Sequence, residues 1–215
     1  AIIKKSNFEK PFVLDILNVL SDTENQYDLP FHFMGHVMQA NFDYESPASL
    51  EPLGNANGYQ HLLVEGRGHP ATNNAKLSWF EDDRCYTLTS ATQESDELLF
   101  TRLGANDPEF NLRRDPGFMI RRKGIGNTVF VSAIESHGGY SPVSELAVNS
   151  NSLISSIEIL LNDDRYTVVS VADVQGSTLL FFLARKDASS SSHHKVWIAG
   201  QPYKWTGPYN IVGLD

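Results

Sequence analysis

The chain has 215 residues, of which 41% are hydrophobic and 20% charged, and its formal net charge is −9. This length and composition suit a globular protein of one large domain or two small ones and exclude a disordered chain. The negative charge argues against a nucleic-acid partner held by a broad basic face, and no apolar run approaches the roughly 20 residues that span a membrane.

The first residues carry neither an initiator methionine nor the charged-then-apolar pattern of a signal peptide, since the chain opens with AIIKK (1–5). Strand-like sequence follows soon after, without a lead-in. We therefore expect a piece of a longer polypeptide, whose compartment these residues do not indicate.

Short runs rich in β-branched and aromatic residues recur along the chain and predict β-strands. In chain order the predicted strands are 12–20, 27–42, 59–65, 77–80 with 84–89, 98–103, 119–121, 128–134, 155–161, 166–172, 178–183 and 196–198. Residues 18–22 and 152–161 can also be read as helix, but the strand interpretation is preferred for both.

Short polar segments that tolerate a positive φ angle separate several of these runs, at 81–83, 124–127, 162–164 and 174–177. A spacing of about ten residues between strands is typical of antiparallel sandwiches and barrels. Within 165–171, Tyr166 and Val168 would share one face of a strand. Residues 105–117 contain two prolines and predict a long surface loop. The sequence thus predicts an all-β fold, an antiparallel β-sandwich that forms a single domain over residues 1–215.

Metal and nucleophile chemistry find little support in the residue pattern. His32 and His36 are four residues apart, but on one strand they would be separated by about 13 Å, which is too far for one ion. A structural role is therefore favoured for this pair. No Gly-x-Ser-x-Gly motif is present, and the single cysteine, Cys85, lies in a strand-like run where a buried, inert thiol is expected.

A cluster of basic residues falls within positions 113–123. Its members are Arg113, Arg114, Arg121, Arg122 and Lys123. Guanidinium groups bind carboxylates through paired hydrogen bonds, so the cluster could hold a carboxylate-bearing ligand. A solvated loop rim that faces the many acidic residues is the alternative.

A second polar group follows the apolar run 129–134. Glu135, His137 and Tyr140 are grouped there beside two glycines, which would let a ligand or another backbone approach closely. A structural turn explains the glycines equally well, but not the grouping of three titratable side chains. We predict that Glu135, His137, Tyr140 and Arg121 contact substrate.

Several blocks, in order from residue 11 to 212, resemble a known family. DILNVLSD (15–22), QYDLPFHFMGH (26–36), and LG (53–54) with GYQHL (58–62) resemble the C-terminal half of alginate and oligoalginate lyases of the heparinase II/III-like superfamily. Polysaccharide lyase family 17 is the best fit. IESHGGY (134–140) and WTGPY (205–209) resemble later blocks of the same region.

The resemblance implies the C-terminal β-sandwich part of a longer enzyme whose N-terminal part is an (α/α) toroid. Members cleave alginate by β-elimination, which needs a neutralised uronate carboxylate, a base for the C5 proton and an acid for the leaving oxygen. In the family these roles fall to Asn, His and Tyr residues of the toroid and to a Tyr near the start of the sandwich, and the structural zinc ligands come from that earlier part as well. None of these motifs has a counterpart in this sequence. We therefore expect no catalytic residue, metal ligand or cofactor in this chain, and the resemblance favours a periplasmic or secreted location.

Two functions follow as alternatives. In the first, the chain supports the toroid and contributes to the substrate cleft, with the toroid and alginate or oligoalginate as partners, and neither nucleic acid nor membrane. One face of residues 27–33 would then pack on the toroid and form an apolar patch in the isolated chain. In the second, the chain is a non-catalytic carbohydrate-binding sandwich. Trp79, Trp197 and Trp205 would then stack on sugars, although buried tryptophans are the commoner case.

Overall fold

A computed structural model describes residues 1–4, 10–104 and 114–214. The first strands along the chain are β1 (Ile2–Ile3), β2 (Phe12–Val19), β3 (Asn25–His32), β4 (His36–Ala40), β5 (Tyr44–Glu45), β6 (Glu51–Pro52), β7 (Leu62–Gly68), β8 (Asn74–Glu81), β9 (Arg84–Ala91) and β10 (Glu97–Leu103). They are followed by β11 (Pro116–Ile125), β12 (Thr128–Ser141), β13 (Leu146–Val148), β14 (Ile154–Asn162), β15 (Tyr166–Asp173), β16 (Thr178–Ala184), β17 (His193–Ile198), β18 (Gln201–Thr206) and β19 (Tyr209–Leu214). One 3₁₀-helix, Tyr59–His61, precedes β7, and the described residues form no α-helix.

These strands form four sheets, and the paired strands are antiparallel. The six-stranded sheet has the order β3-β11-β10-β7-β5, with β6 also paired to β7. The seven-stranded sheet has the order β1-β2-β12-β9-β8-β4, with β13 on β12. A four-stranded sheet, β14-β15-β16-β19, and a two-stranded hairpin, β17-β18, complete the fold.

Three apolar cores stack the four sheets face to face. The first core lies between the six- and seven-stranded sheets and is rich in aromatic side chains, such as Phe100, Phe118 and Phe130. The second joins the seven- and four-stranded sheets, and the third joins the four-stranded sheet to the hairpin. The predicted all-β antiparallel sandwich is therefore confirmed, and it is extended to four layers.

The central strands β12 and β15 of the two middle sheets are buried on both faces along most of their length. In β12, Phe130 points to the first core, whereas Val129 and Val131 point to the second. In β15, Tyr166 and Val168 pack in the third core, and Val169 packs in the second. A strand covered on both sides needs a continuous apolar run, which explains why these segments are so strongly hydrophobic.

The predicted run 27–42 is divided at Gly35. There the chain leaves β3 of the six-stranded sheet and enters β4 of the seven-stranded sheet. Gly35 has a φ angle of 91°, and a Cβ atom added to it would lie 2.1 Å from the carbonyl oxygen of Phe80. Only glycine fits this crossing between layers.

The apolar face predicted for residues 27–33 is directed inward, which contradicts the expectation of an exposed apolar patch. Tyr27, Leu29 and Phe31 pack against the first core. The opposite face of β3 carries polar residues such as Asp28 and His32. The strand lies at the edge of its sheet, and these three side chains are half-buried against the first core.

Other boundaries differ from the sequence prediction in smaller ways. Residues 59–61 form the 3₁₀-helix rather than a strand, and β18 and β19 were not predicted. Of the predicted loop 105–117, residues 105–113 lie outside the described residues, and Pro116 and Gly117 already belong to β11.

Candidate functional site

The polar end of β12 continues the strand face that forms the second core. Side chains alternate along a strand, so Glu135 and His137 lie on the same face as Val131 and Ala133. Towards this end the apolar core gives way to a polar layer, which residues 149–153 cover. The predicted site residues Glu135 and His137 are therefore buried together on one face of the seven-stranded sheet.

Glu135 holds the start of β14 in place. Its carboxylate accepts hydrogen bonds from the Ser152 hydroxyl at 2.6 Å, the Leu153 amide at 2.9 Å and the Ile154 amide at 3.3 Å. These hydrogen bonds tie the Glu135 side chain of β12 to the segment that leads into β14. Glu135 therefore has a structural role, which is to hold the segment that leads into β14. Its predicted contact with substrate stays a prediction.

His137 links three segments through both of its ring nitrogens. Nδ1 lies 2.8 Å from the carbonyl oxygen of Asn149, and Nε2 lies 2.8 Å from the hydroxyl of Thr87. Because a carbonyl can only accept, Nδ1 carries a hydrogen, and in the neutral ring Nε2 accepts from Thr87. Ser78 Oγ, 2.7 Å from Thr87 Oγ1, continues this chain of hydrogen bonds to β8.

A shallow depression of about 370 Å³ opens beside this polar layer. Its rim carries Lys10, Arg84, Asp83 and Tyr140. Lys10 Nζ donates to the carbonyl oxygen of His137 at 2.6 Å. The Arg84 side chain is 64% exposed, its ion pair to Asp83 is long at 3.7 Å, and Tyr140 is 42% exposed. Two cations and an aromatic ring can bind a sugar that carries a carboxylate.

The two glycines of this segment are explained by close backbone contacts. A Cβ atom on Gly138 would lie 2.1 Å from the carbonyl oxygen of Asn149, and one on Gly139 would lie 2.6 Å from that of Asp83. The approach that the sequence suggested is thus made by neighbouring backbone. Sequence reasoning missed Lys10 and Arg84, because they reach this site only through strand pairing. The pairing of β9 with β12 places Arg84 opposite Gly139, and the pairing of β2 with β12 brings Lys10 to His137.

A second, smaller pocket of about 190 Å³ lies on the other side of the covering segment. It is lined by Lys76, Ser78, Thr87 and Ser152, among others. Lys76 Nζ donates to the carbonyl oxygen of Ile154 at 2.8 Å. Burial lowers the pKa of Lys76, and the negative charge of Glu135 opposes this shift only in part.

Arg121 lies elsewhere, on the outward face of the six-stranded sheet. Its Nε and Nη2 donate to the two oxygens of Asp28, both at 2.8 Å, and the hydroxyl of Tyr59 also donates to Asp28. Burial opposes the ionisation of Asp28, but the hydrogen bonds from Arg121 and Tyr59 outweigh it and lower the pKa of Asp28. The hydrogen bond to Asp28 raises the pKa of Arg121 and also that of Tyr59. The structure does not bring Arg121 together with Glu135, His137 and Tyr140.

The basic cluster as a whole is divided among different environments. Arg122 is buried in a bidentate pair with Asp96, at 2.8 and 2.7 Å, and its guanidinium lies 4.4 Å from the centre of the Phe130 ring. Lys123 is exposed and pairs with Glu97 at 3.3 Å. Arg113 lies outside the described residues. A solvated rim therefore describes Lys123 but not Arg121 or Arg122.

The three tryptophans also differ. Trp79 is buried in the first core and Trp205 in the third, whereas Trp197 is 59% exposed on the outer hairpin. Of the three, only Trp197 has an exposed ring. Cys85 is buried, and burial raises the pKa of its thiol.

Within residues 1–4, 10–104 and 114–214, no three side chains of His, Cys, Asp or Glu form a group that could hold a metal ion. The same residues contain no helix with the length and apolar character needed to cross a membrane.

No family model matches the chain. An alginate lyase of Stenotrophomonas maltophilia (strain K279a) is 35% identical over 210 residues, which cover 97% of this chain and 28% of that protein. An exo-oligoalginate lyase of Saccharophagus degradans (strain 2-40) is 28% identical over 215 residues, which cover 98% of this chain and 29% of that protein. The chain spans 28–29% of the length of these relatives. It is thus similar, over nearly its whole length, to one segment of alginate lyases.

Proposed function

We propose that this chain is the C-terminal β-sheet part of a longer polysaccharide lyase that cleaves alginate by β-elimination. It supports a helical toroid of the same protein and contributes to the substrate cleft. The observation that carries the proposal is the similarity over 97–98% of the chain to an alginate lyase and an exo-oligoalginate lyase, of which it spans only 28–29%. The resemblance of the sequence blocks to polysaccharide lyase family 17 supports the same assignment.

In this proposal the chain binds substrate and leaves the chemistry to the rest of the enzyme. β-Elimination needs a base, an acid and a group that neutralises the uronate carboxylate. Arg84 and Lys10 offer positive charge at the depression beside β12, and Tyr140 offers a partly exposed ring. Glu135 and His137 act as positioning residues, because their hydrogen bonds fix the segment that borders this depression. Arg121 remains a predicted contact on a different face.

The test uses the longer protein that contains this chain, with product formation followed by the absorbance of the unsaturated sugar. We expect Arg84→Gln to raise KM for alginate by about three- to tenfold with little change in kcat, because a charged hydrogen bond to substrate is lost in both the bound and the reacting state. Arg165→Gln is the matched control, since Arg165 is an exposed arginine in the turn between β14 and β15 of the four-stranded sheet. An unchanged KM for Arg84→Gln would show that the depression is not part of the substrate cleft.

The 215-residue chain alone should give no unsaturated product from alginate, because the proposal places the acid and the base outside it. The same absorbance assay at high protein concentration measures this directly. Turnover by the chain alone would contradict the division of labour. Absence of turnover by the longer protein as well would contradict the lyase assignment itself.

A non-catalytic carbohydrate-binding module is the second candidate, and the exposed ring of Trp197 favours it. Trp79 and Trp205 do not, because both are buried in cores. Binding of alginate by a longer protein that has no lyase activity would select this candidate.

A further inference from the structure

The β17–β18 hairpin forms the outermost layer of the stack, and its two faces differ sharply. The inward face packs Val196 and Trp205 into the third core. The outward face carries Lys195, Trp197 and Lys204, all exposed. The register places Lys195 opposite Lys204, and Trp197 opposite Pro202.

Trp197 presents a large apolar ring to solvent. It is 59% exposed, although its neighbour Val196 is buried, so the strand alternation directs the ring outward. The Nζ atom of Lys195 lies 4.8 Å from the centre of this ring. An exposed tryptophan flanked by a lysine and a proline offers a flat apolar face with a cation beside it, a combination suited to the ring face of a sugar.

The two lysines are an unfavourable pair in the absence of an anion. They lie directly across the strand pair, where like charges destabilise a sheet. Residues 193–206 contain these two lysines and no Asp or Glu, although the whole chain has a net charge of −9. No ion pair joins either lysine to an acidic side chain of the described residues. This face is therefore complementary to a polyanion with an apolar ring surface.

We propose that the outward face of the β17–β18 hairpin is a binding site for acidic polysaccharide, with Trp197 stacked on a uronate ring and Lys195 and Lys204 paired with carboxylates. The proposal rests on the proposed function for the identity of the polymer, which is alginate. The hairpin is separated from the depression beside β12 by the four-stranded sheet. It therefore binds the polymer at a distance from that depression and does not contact the sugar that reacts.

The test measures binding of the 215-residue chain to alginate oligosaccharides by calorimetry and by tryptophan fluorescence. Trp197→Ala should weaken binding by about tenfold, and Trp197→Phe should restore most of it, because the phenyl ring keeps a stacking face. The double variant Lys195→Gln/Lys204→Gln should weaken binding by a similar factor and flatten its dependence on salt. Neutral cello-oligosaccharides should bind much more weakly than the uronate oligomers.

Two controls match these changes. Lys123→Gln removes an exposed lysine on the six-stranded sheet, at the other end of the stack, and should leave binding unchanged. The loss of affinity caused by Trp197→Ala should be the same size with and without Arg84→Gln, because Arg84→Gln alters only the depression beside β12. Thermal unfolding midpoints check that each variant folds. If Trp197→Ala does not fold, Trp197→Phe, the lysine variants and the salt dependence decide the question.

Wild-type affinity in both Trp197→Ala and the double lysine variant would overturn the proposal, as would equal affinity for neutral and acidic oligosaccharides. In the longer protein, Trp197→Ala should impair the degradation of long alginate while leaving the turnover of short oligosaccharides unchanged. Lyase activity without any hairpin effect would refute this inference and keep the proposed function. Binding of alginate at the hairpin by a longer protein without lyase activity would keep this inference and refute the proposed function.

Discussion

Asp28, Tyr59 and Arg121 come from three distant parts of the sequence and meet on the outward face of the six-stranded sheet. The basic residues near Arg121 indicated that carboxylates would bind there, and one does, but it belongs to the protein itself. The partner could not be predicted, because it depends on the pairing of β11 with β3 across a sequence separation of 93 residues. The grouping of Glu135 with His137, in contrast, was predictable, since both lie two residues apart on one strand.

Tyr59→Phe removes one hydrogen bond to the carboxylate of Asp28 and is expected to lower the free energy of unfolding at pH 7 by about 1–2 kcal/mol. The pKa of Asp28 is lowered in the folded chain, so its stabilisation is present above the unfolded pKa and is lost as the pH falls through the folded pKa. The difference between wild type and variant should therefore shrink on acidification. Urea unfolding at a series of pH values measures it.

Tyr209→Phe is the matched control for this change, because Tyr209 is exposed and its hydroxyl makes no hydrogen bond to any residue that the structure describes. It should have almost no effect on stability at any pH. A Tyr59→Phe effect that grew towards acid pH would show that the hydroxyl serves some group other than the Asp28 carboxylate.

Arg122 illustrates a buried charge whose removal should be severe. Its bidentate pair with Asp96 lies inside the sheet stack, and both side chains are almost fully buried. Arg122→Met should cost about 3–5 kcal/mol, because it leaves the Asp96 carboxylate without its cation. Asp96→Asn should lower the free energy of unfolding much less in the Arg122→Met background than in the wild type. A double-mutant cycle by urea unfolding measures this difference. Additive effects would contradict coupling between the two side chains.

At the level of elements, the apolar runs buried on both faces were predicted: β15 ends one residue beyond its predicted range, and the apolar half of β12 was predicted, although that strand continues to Ser141. Such apolar runs leave no other stable placement. Sequence reasoning missed β18 and β19, because Pro202 and Gly213 weaken the strand signal in short segments. It also joined β3 and β4 into one run, since hydrophobicity alone does not reveal that Gly35 passes the chain from one layer to the next.

The close contact between β12 and the segment after β13 makes a testable prediction about Gly138. A Cβ atom there would lie 2.1 Å from the backbone oxygen of Asn149, which no side-chain movement can relieve. Gly138→Ala should therefore cost about 2–3 kcal/mol and weaken the hydrogen bond between His137 and Asn149. Gly213→Ala is the control, because its nearest atom would be a side-chain carbon at 3.8 Å. Equal stability of the two variants, measured by thermal unfolding, would argue against this close contact.

Across the whole molecule, each of the three apolar cores joins two neighbouring sheets of the stack. The four-stranded sheet is covered on one face by the seven-stranded sheet and on the other by the hairpin. The hairpin itself has one buried face, which Trp205 and Val196 provide. A change in the hairpin should thus be felt first in the four-stranded sheet and least in the six-stranded sheet, which shares no core with it.

Trp205→Ala tests this order of dependence. It removes a large buried ring that contacts Phe182 and Tyr166 of the four-stranded sheet and should cost about 3–5 kcal/mol. Trp197→Ala, an exposed position on the same hairpin, should change stability by only about 0.5 kcal/mol. In hydrogen exchange, Trp205→Ala should reduce amide protection in β15 and β16 while the strands around the first core keep theirs. Uniform loss of protection in all four sheets would mean that the stack opens as one cooperative unit, and that the outer hairpin supports the six-stranded sheet as strongly as its own neighbour.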